Sequence, residues 1–336
     1  MKEEPIKLFS PQNPTPEEII FLSNIDQAVI FPVETLFFFE VPPNKTPAST
    51  LPVFDLVRKA VAEVLLVPYY FMAGRLQFNQ ESNRLELLCN NGGVLFVCAE
   101  SRMELKDLGN LSLPNSTFHL LIHRPGDKVQ VWWICSRKYY YKLFPFTQET
   151  ICLLKEKAMV SCSSFEAIVA HTWKARTKAM FGQNPDGFST VLFAVDFRGK
   201  ISPNLPDGYV GNAVITAFAT ARVKDLEEKS FGYVVEKVKE GRDRVTDEYV
   251  RSVIDWLEVH RGVPATCDGN FYVSAWGKLG FGGLDFGLGN AVYGGPVVSG
   301  NDEFVLLLSD GSGGVNVWLG LEKEKMERFM VHVLEI

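Results

Sequence analysis

Hydrophobic residues recur three and four positions apart in five segments of the chain, which is the spacing of one buried face of an α-helix. This spacing predicts helices over residues 52–67, 165–180, 224–244 and 247–260, and a C-terminal helix with Met326, Phe329, Met330 and Val333 on one face. Pro68 ends the first of them, because proline has no amide hydrogen to continue a helix. Ser163-Ser164-Phe165-Glu166 has the sequence of a capping box at the start of the second.

Shorter apolar runs between these helices predict β-strands over residues 191–197, 212–221, 304–308 and 315–319. The last two are predicted to pair, because the glycine-rich segment 310–314 between them has the composition of a turn. Alternation over 85–97, around Asn91-Gly92-Gly93, predicts a further hairpin. Strands that alternate with helices in both halves indicate an α/β fold with a mixed sheet in each of two domains.

The composition narrows the possible functions. The 336 residues are 46% hydrophobic, which is enough for two packed cores. A net charge of −6 with scattered basic residues argues against nucleic acid as a partner. Six cysteines without Cys-x-x-Cys spacing predict neither a disulfide scaffold nor a zinc site. The sequence shows neither a signal peptide nor the ~20 apolar residues of a membrane span, so we expect a cytoplasmic protein.

The stretch from 283 to 289 is the most distinctive motif of the chain. It reads Gly-Leu-Asp-Phe-Gly-Leu-Gly, and its glycines favour an irregular turn over a helix or strand. Ser274-Ala275-Trp276 precedes it and Tyr293-Gly294-Gly295-Pro296 follows it. Together these residues resemble the C-terminal signature of the BAHD (HXXXD-type) acyltransferases of plants. The family's version reads Asp-Phe-Gly-Trp-Gly, and Leu288 departs from it.

Further blocks of sequence are similar to the same family and follow in the family's order. They are Leu22-Ser23-Asn24-Ile25-Asp26, Tyr69 to Leu76, Ser164 to Ala179, Ala194 to Arg198 and Gly208 to Ala213. The resemblance implies a two-domain α/β fold of the chloramphenicol-acetyltransferase type with mixed sheets. We place an incomplete first acyltransferase domain at residues 1–145 and a second at 146–336.

The resemblance also implies the chemistry. Family members transfer an acyl group, of the hydroxycinnamoyl or fatty acyl class, from coenzyme A to a small alcohol or amine in plant secondary metabolism. Acyl-CoA is then a co-substrate, with no covalently bound cofactor and no metal, and the protein is expected to be a monomer. A histidine in an Asn-His-x-x-x-Asp-Gly turn, in a channel between the domains, acts as general base.

That turn is missing from the place where the family has it. The order of the blocks puts the loss between Val131 and Lys142, and it amounts to roughly a hundred residues, a sizeable part of a domain. His123 and Asp127 have the same spacing, but Pro125-Gly126 lies between them and they precede the strand that should carry the base. They are therefore weak candidates for catalysis. His171, inside a predicted helix, is expected to be a packing residue.

The remaining site residues follow from the resemblance. Trp276 and Ser274 would line the channel, with the indole N–H directed at the oxyanion, although a strand tryptophan in the core would show the same pattern. A structural motif would be formed by Asp285, Phe286, Gly287, Gly289 and Arg198. In it, Asp285 is expected to be a buried carboxylate that pairs with Arg198.

Three interpretations of function remain open. The chain is an acyltransferase that is impaired in this form, or a non-catalytic family member that acts as a partner or regulator of acyl-chain enzymes. The third is a product of truncated splicing or of a truncated gene model, which the unusual sequence over 132–141 suggests.

Overall fold

The computed structural model describes residues 2–3, 7–11, 13–28, 33–40, 50–111, 116–122, 139–181, 184–261, 271–286, 289–297 and 304–336. The chain forms two compact units. The first consists of Met1–Lys128 and Gly280–Val297, and the second of Val129–Leu279 and Val298–Ile336. This division differs from the expected boundary at 145/146 in two places. The strand Tyr139–Phe146 pairs with Val315–Glu322 and so belongs to the second unit, and the strand Tyr293–Pro296 pairs with Thr35–Phe38 and so joins the first.

Short strands make up most of the first unit. They are β1 (Lys2–Glu3), β2 (Lys7–Phe9), β3 (Glu18–Phe21), β4 (Thr35–Phe38), β5 (Arg75–Asn79), β6 (Arg84–Cys89), β7 (Val94–Phe96) and β8 (Ala99–Glu100), with Tyr293–Pro296 returning late in the chain. They form a three-stranded sheet, in the order β3-β6-β5, and three two-stranded sheets. The predicted hairpin over 85–97 is wrong. The strand β6 pairs with β3 and β5, while β7 pairs with β2, so Asn91-Gly92-Gly93 is a connection between sheets.

The helices of the first unit are short. They are α1 (Asn24–Ala28) and α2 (Thr50–Lys59), a π-helical turn at Ala60–Leu65, and 3₁₀ turns at Tyr70–Ala73, Leu105–Leu108, Ser116–Leu121 and Phe281–Gly283. The helix predicted over 52–67 is therefore confirmed, but its second half is wound more loosely, and Leu66 N donates to Val61 O at 2.8 Å. It ends before Pro68, as its sequence predicts.

The three-stranded sheet of the first unit exposes apolar side chains on both faces. Ile19 and Phe21 of β3 are 56% and 69% exposed, and Leu76 and Phe78 of β5 are 52% and 58% exposed. Ile19 lies opposite Leu88, whereas Leu76 lies opposite the neighbouring Leu87, so the two pairs point to opposite faces. An antiparallel sheet usually packs at least one apolar face against a core. This sheet therefore has room for covering elements.

One six-stranded sheet organises the second unit. Its strands are β9 (Tyr139–Phe146), β10 (Phe188–Asp196), β11 (Val214–Arg222), β12 (Phe271–Ala275), β14 (Phe304–Ser309) and β15 (Val315–Glu322), where β13 is Tyr293–Pro296 of the first unit. The order is β11-β10-β12-β14-β15-β9. The neighbours of β12 are parallel to it and the other pairs are antiparallel, so the mixed sheet predicted for the second domain is confirmed. The one predicted for the first domain is not found among its described strands, whose pairs are all antiparallel. The predicted pairing of the strands around 310–314 is also confirmed.

Helices cover one face of this sheet. They are α3 (Gln148–Ala158), α4 (Ser164–Phe181), α5 (Val223–Glu228), α6 (Phe231–Asp243), α7 (Asp247–Val259) and α8 (Lys323–Val333). The single helix predicted over 224–244 is wrong, because the chain breaks at Lys229-Ser230 and Ser230 Oγ caps α6 by accepting from Tyr233 N. The helix α6 lies close to the sheet, since a Cβ on Gly241 would stand 2.5 Å from the Phe218 carbonyl oxygen.

The helix α4 is the central element of the helical layer, and polar contacts fix its start. The predicted capping box is confirmed: Ser163 N donates to Glu166 Oε2 at 2.7 Å, and Glu166 N donates to Ser163 Oγ at 3.2 Å. The buried Glu166 carboxylate also forms an ion pair with Arg242 of α6. Further along, the fully buried Trp173 donates its indole N–H to Ser189 Oγ of β10 at 2.9 Å. None of the described helices is long and apolar enough to cross a membrane.

Candidate functional site

The glycine-rich turn is a local structure of the first unit. Asp285 Oδ1 accepts a hydrogen bond from Gly289 N at 2.9 Å, and Asp285 and Asn290 form an isolated β-bridge. Gly289 has a φ of 104°, which side chains disfavour, so glycine is required at that position. Phe286 packs edge-on against Phe39, with ring centroids 5.3 Å apart. Gly287 and Leu288 lie outside the described residues.

The expected environment of Asp285 is not what the structure shows. Its side chain is exposed, so the expectation of a buried carboxylate is wrong. Arg198 lies in the second unit, where its guanidinium contacts Asp196 Oδ2 at 3.0 Å and its backbone N–H donates to Asp196 Oδ1 at 2.9 Å. Both groups are exposed, so this pair contributes little to stability. A pairing of Arg198 with Asp285 stays a prediction.

Ser274 and Trp276 of the candidate site lie on one side of the sheet in the second unit. Ser274 belongs to β12, and Trp276 follows it directly, with its backbone N–H donating to Leu307 O at 2.8 Å. Residues two apart in a strand point the same way, and here the Trp276 indole Nε1 donates to Ser274 Oγ at 3.2 Å. The Ser274 hydroxyl accepts this bond, so it is held in place while its own proton remains to be donated.

An aromatic surface surrounds this pair on the face of the sheet opposite the helices. Trp276 packs against a buried cluster of Leu306, Leu308 and Trp318. The ring of Trp318 stacks on Tyr141 of β9, with centroids 5.0 Å apart. Neither Trp318 nor Tyr141 belongs to a recognisable sequence motif, although the alternation of β15 places Trp318 on the same face. Both interpretations of Trp276, a packing aromatic and a donor, are compatible with this position.

Of the two histidines considered as bases, the structure describes His171 but not His123. His123 and Asp127 lie outside the described residues, so their predicted weakness as a catalytic pair stays a prediction. His171 is buried in α4, its Nε2 donates to Val333 O at 2.8 Å, and its ring packs edge-on against Phe146 and Phe231. The packing role predicted for His171 is confirmed. Among the described residues, no group of three or more His, Cys, Asp or Glu side chains is arranged to hold a metal ion.

The burial of His171 makes a pH dependence of stability expected. Burial lowers the pKa of His171 below its usual 6.5, so the unfolded chain takes up the proton more readily than the folded one. Stability is then fully retained above about pH 6.5 and lost as the pH falls through that value towards the lower folded pKa. The fall in stability is therefore expected to begin between pH 6.5 and 5.5.

Urea unfolding at both pH values measures this fall in stability. His171→Gln keeps a side-chain donor near Val333 O but cannot titrate, so its free energy of unfolding should fall by less than that of the parent protein between the two pH values. Equal losses in the two proteins would contradict the assignment.

Comparisons with known proteins assign nearly the whole chain to one protein family. A family model described as the Transferase family matches residues 4–131 and 137–335. Acyltransferase GLAUCE of Arabidopsis thaliana is 30% identical over an alignment 428 positions long, gaps included, which covers 97% of this chain and 94% of GLAUCE. The fatty alcohol:caffeoyl-CoA acyltransferase of the same plant is 26% identical over an alignment 419 positions long, gaps included, which covers 98% of this chain and 96% of that protein.

A solved structure has the same fold. The crystal structure of vinorine synthase superposes with a TM-score of 0.72 at 19% identity, covering 99% of this chain and 97% of that one. This similarity confirms the fold class expected from the resemblance. The family match is interrupted between residues 131 and 137, inside the interval from Val131 to Lys142 that the order of the sequence blocks indicates.

Proposed function

Since this chain belongs to the BAHD family of acyl-CoA-dependent acyltransferases, whose members transfer acyl groups from coenzyme A to alcohols and amines, we propose that its acyl donor is a hydroxycinnamoyl-CoA and its acceptor a long-chain aliphatic alcohol. The choice of donor and acceptor rests on the relative whose name gives caffeoyl-CoA and a fatty alcohol. The observation that carries the proposal is the family match through nearly the whole chain.

We assign the stabilisation of the oxyanion to Ser274, with Trp276 as the residue that positions it. In acyl transfer, the acceptor oxygen attacks the thioester carbonyl carbon, and the negative charge that forms on the carbonyl oxygen needs a hydrogen-bond donor. The indole N–H of Trp276 is already bonded to Ser274 Oγ, which leaves the serine proton as the donor. Collapse of this intermediate expels the coenzyme A thiolate, which takes up a proton.

The site has no well-supported general base to remove the proton from the acceptor hydroxyl. The only His-x-x-x-Asp in the sequence is His123 to Asp127, which lies upstream of the predicted loss. The interrupted family match supports the loss, and so does the sheet of β3, β6 and β5, which exposes apolar side chains on both faces. Loss of a positioned general base costs typically about 10²–10⁴-fold in rate. We therefore propose that turnover of this form is low.

The second candidate function is that of a non-catalytic family member. It is favoured by the absence of the Asn-His-x-x-x-Asp-Gly turn from the sequence, and it would leave binding of acyl-CoA intact without transfer. Such a protein would act on other acyl-chain enzymes as a partner or regulator.

One assay separates these functions. The purified chain is incubated with caffeoyl-CoA or feruloyl-CoA and a long-chain alcohol, and ester formation and release of the coenzyme A thiol are measured. Slow but measurable ester formation supports the proposed function, and the same rate in His123→Ala would exclude His123 as a replacement base. Binding of the thioester without any ester points to the non-catalytic role, whereas absence of both contradicts each of the two.

A further inference from the structure

A second group of charged side chains lies among the helices of the second unit. A cavity of about 270 Å³ opens between α3, α4, α8 and the segment that joins α5 to α6. Its charged side chains are Lys157, Lys174, Lys178, Lys229 and Glu335, and the imidazoles of His171 and His332 also line it. The whole chain has a net charge of −6, so four lysines around one cavity reverse the overall sign locally.

Two of these four lysines are neutralised by carboxylates. Lys178 Nζ lies 3.2 Å from Glu335 Oε2, and Lys229 Nζ lies 3.1 Å from Asp225 Oδ1. Glu335 Oε1 also lies 3.4 Å from His332 Nδ1. Across the part of the chain that the structure describes, no carboxylate pairs with Lys157 or Lys174. Two positive charges therefore remain without a counter-ion at the cavity.

Lys174 carries the larger part of this imbalance because it is half-buried. Its Nζ donates to the carbonyl oxygens of Glu227 and Lys229, each at 3.3 Å, at the end of α5. An ammonium group has three protons, so one is left for a ligand. Burial lowers the pKa of Lys174, and the neighbouring charges of Lys178 and Lys157 lower it further. An anion in the cavity would relieve both the burial cost and the mutual repulsion.

We propose that this cavity binds a small phosphate-type dianion, either inorganic phosphate or the phosphomonoester of a small molecule. Lysine is a common phosphate ligand in proteins, and two uncompensated ammonium groups match the charge of a phosphate dianion. The lining also includes Phe231 and Ala175, which give an apolar wall that an organic group of a phosphomonoester could contact. The site belongs to the helical layer and does not depend on the acyl-transfer proposal.

Calorimetric titration of the full chain tests this site. The probes are inorganic phosphate and phenyl phosphate, each at an ionic strength held constant with potassium chloride. Both Lys157→Gln and Lys174→Gln are expected to weaken binding about tenfold, since each removes a charged hydrogen-bond donor. Lys157 is exposed, so its substitution tests the site without disturbing the fold. Lys239→Gln is the matched control, because Lys239 pairs with Glu236 on α6 and does not line the cavity.

Each outcome of the titration either supports the site or overturns it. Binding that weakens in the two cavity variants and not in the control supports the site. Tighter binding of phenyl phosphate then identifies a phosphomonoester as the ligand, and equal binding identifies inorganic phosphate. The proposal is overturned if neither probe binds at millimolar concentration, or if Lys239→Gln weakens binding as much as the cavity variants do.

Discussion

Insertion of a relative's Asn-His-x-x-x-Asp-Gly turn, with its strand and helix, between Val131 and Lys142 is expected to raise the rate of acyl transfer about 10²–10⁴-fold. The physical reason is that a positioned imidazole removes the acceptor's proton as its oxygen attacks the thioester, and near-neutral pH suits the pKa of histidine. GLAUCE is a suitable source of the segment, since its alignment covers 97% of the residues of this chain. Release of the coenzyme A thiol gives the rate.

The control is the same insertion with its histidine changed to alanine. This variant should fold as the first one does, which circular dichroism and thermal unfolding would check, and it should lose the gain in rate. The same gain with and without the inserted histidine would contradict the prediction, as would a parent chain that already turns over as fast as the chimera. A restored rate would also separate the impaired enzyme from the non-catalytic candidate.

Substitution of Ser274 by alanine is expected to lower kcat about 10²-fold or more, measured in the chain with the inserted turn so that the starting rate is high. The hydroxyl that remains to be donated belongs to Ser274, because its oxygen accepts from the Trp276 indole. Ser274→Thr retains the hydroxyl and should retain most of the rate. KM should change less than kcat, since the oxyanion exists only on the way to the transition state.

Trp276→Phe distinguishes positioning from packing in the same assay. Phenylalanine still covers Leu306 and Leu308 but cannot donate to Ser274, so a positioning role predicts a lower kcat with a nearly unchanged midpoint of thermal unfolding. If Trp276 only packs, kcat should stay the same. Equal rates in Ser274→Ala and the parent chimera would remove both residues from the chemistry.

Local patterns predicted the elements of the second unit well, and long-range pairing explains most of what they missed. The capping box at Ser163 and the pairing of β14 with β15 involve residues close in sequence, so their signals are complete within a short window. The break at Lys229-Ser230 is marked in the sequence only by a gap of five positions between Leu226 and Phe231, one more than helical spacing allows, and by the capping Ser230. The pairing of β4 with β13 joins residues more than 250 positions apart, which no local pattern encodes.

The candidate site shows the same limit. Ser274 and Trp276 could be placed together from sequence, because residues two apart in a strand share a face. The hydrogen bond between them, which assigns the donor role, required the structure. The lysine cavity has no sequence signature, since Lys157 and Lys174 come from two different helices, Lys229 comes from the segment after a third, and none forms a motif.

The pairing of β9 allows the segment before it to vary in length. It is the edge strand of the six-stranded sheet, and all eight of its residues are in register with β15, from Tyr139 opposite Glu322 to Phe146 opposite Val315. The register is set from that point onward by the partner strand, whatever number of residues comes before Tyr139. An exon lost or gained upstream therefore leaves the second unit's own pairing unchanged. The segment before β9 is a natural junction for genetic recombination and for engineered chimeras.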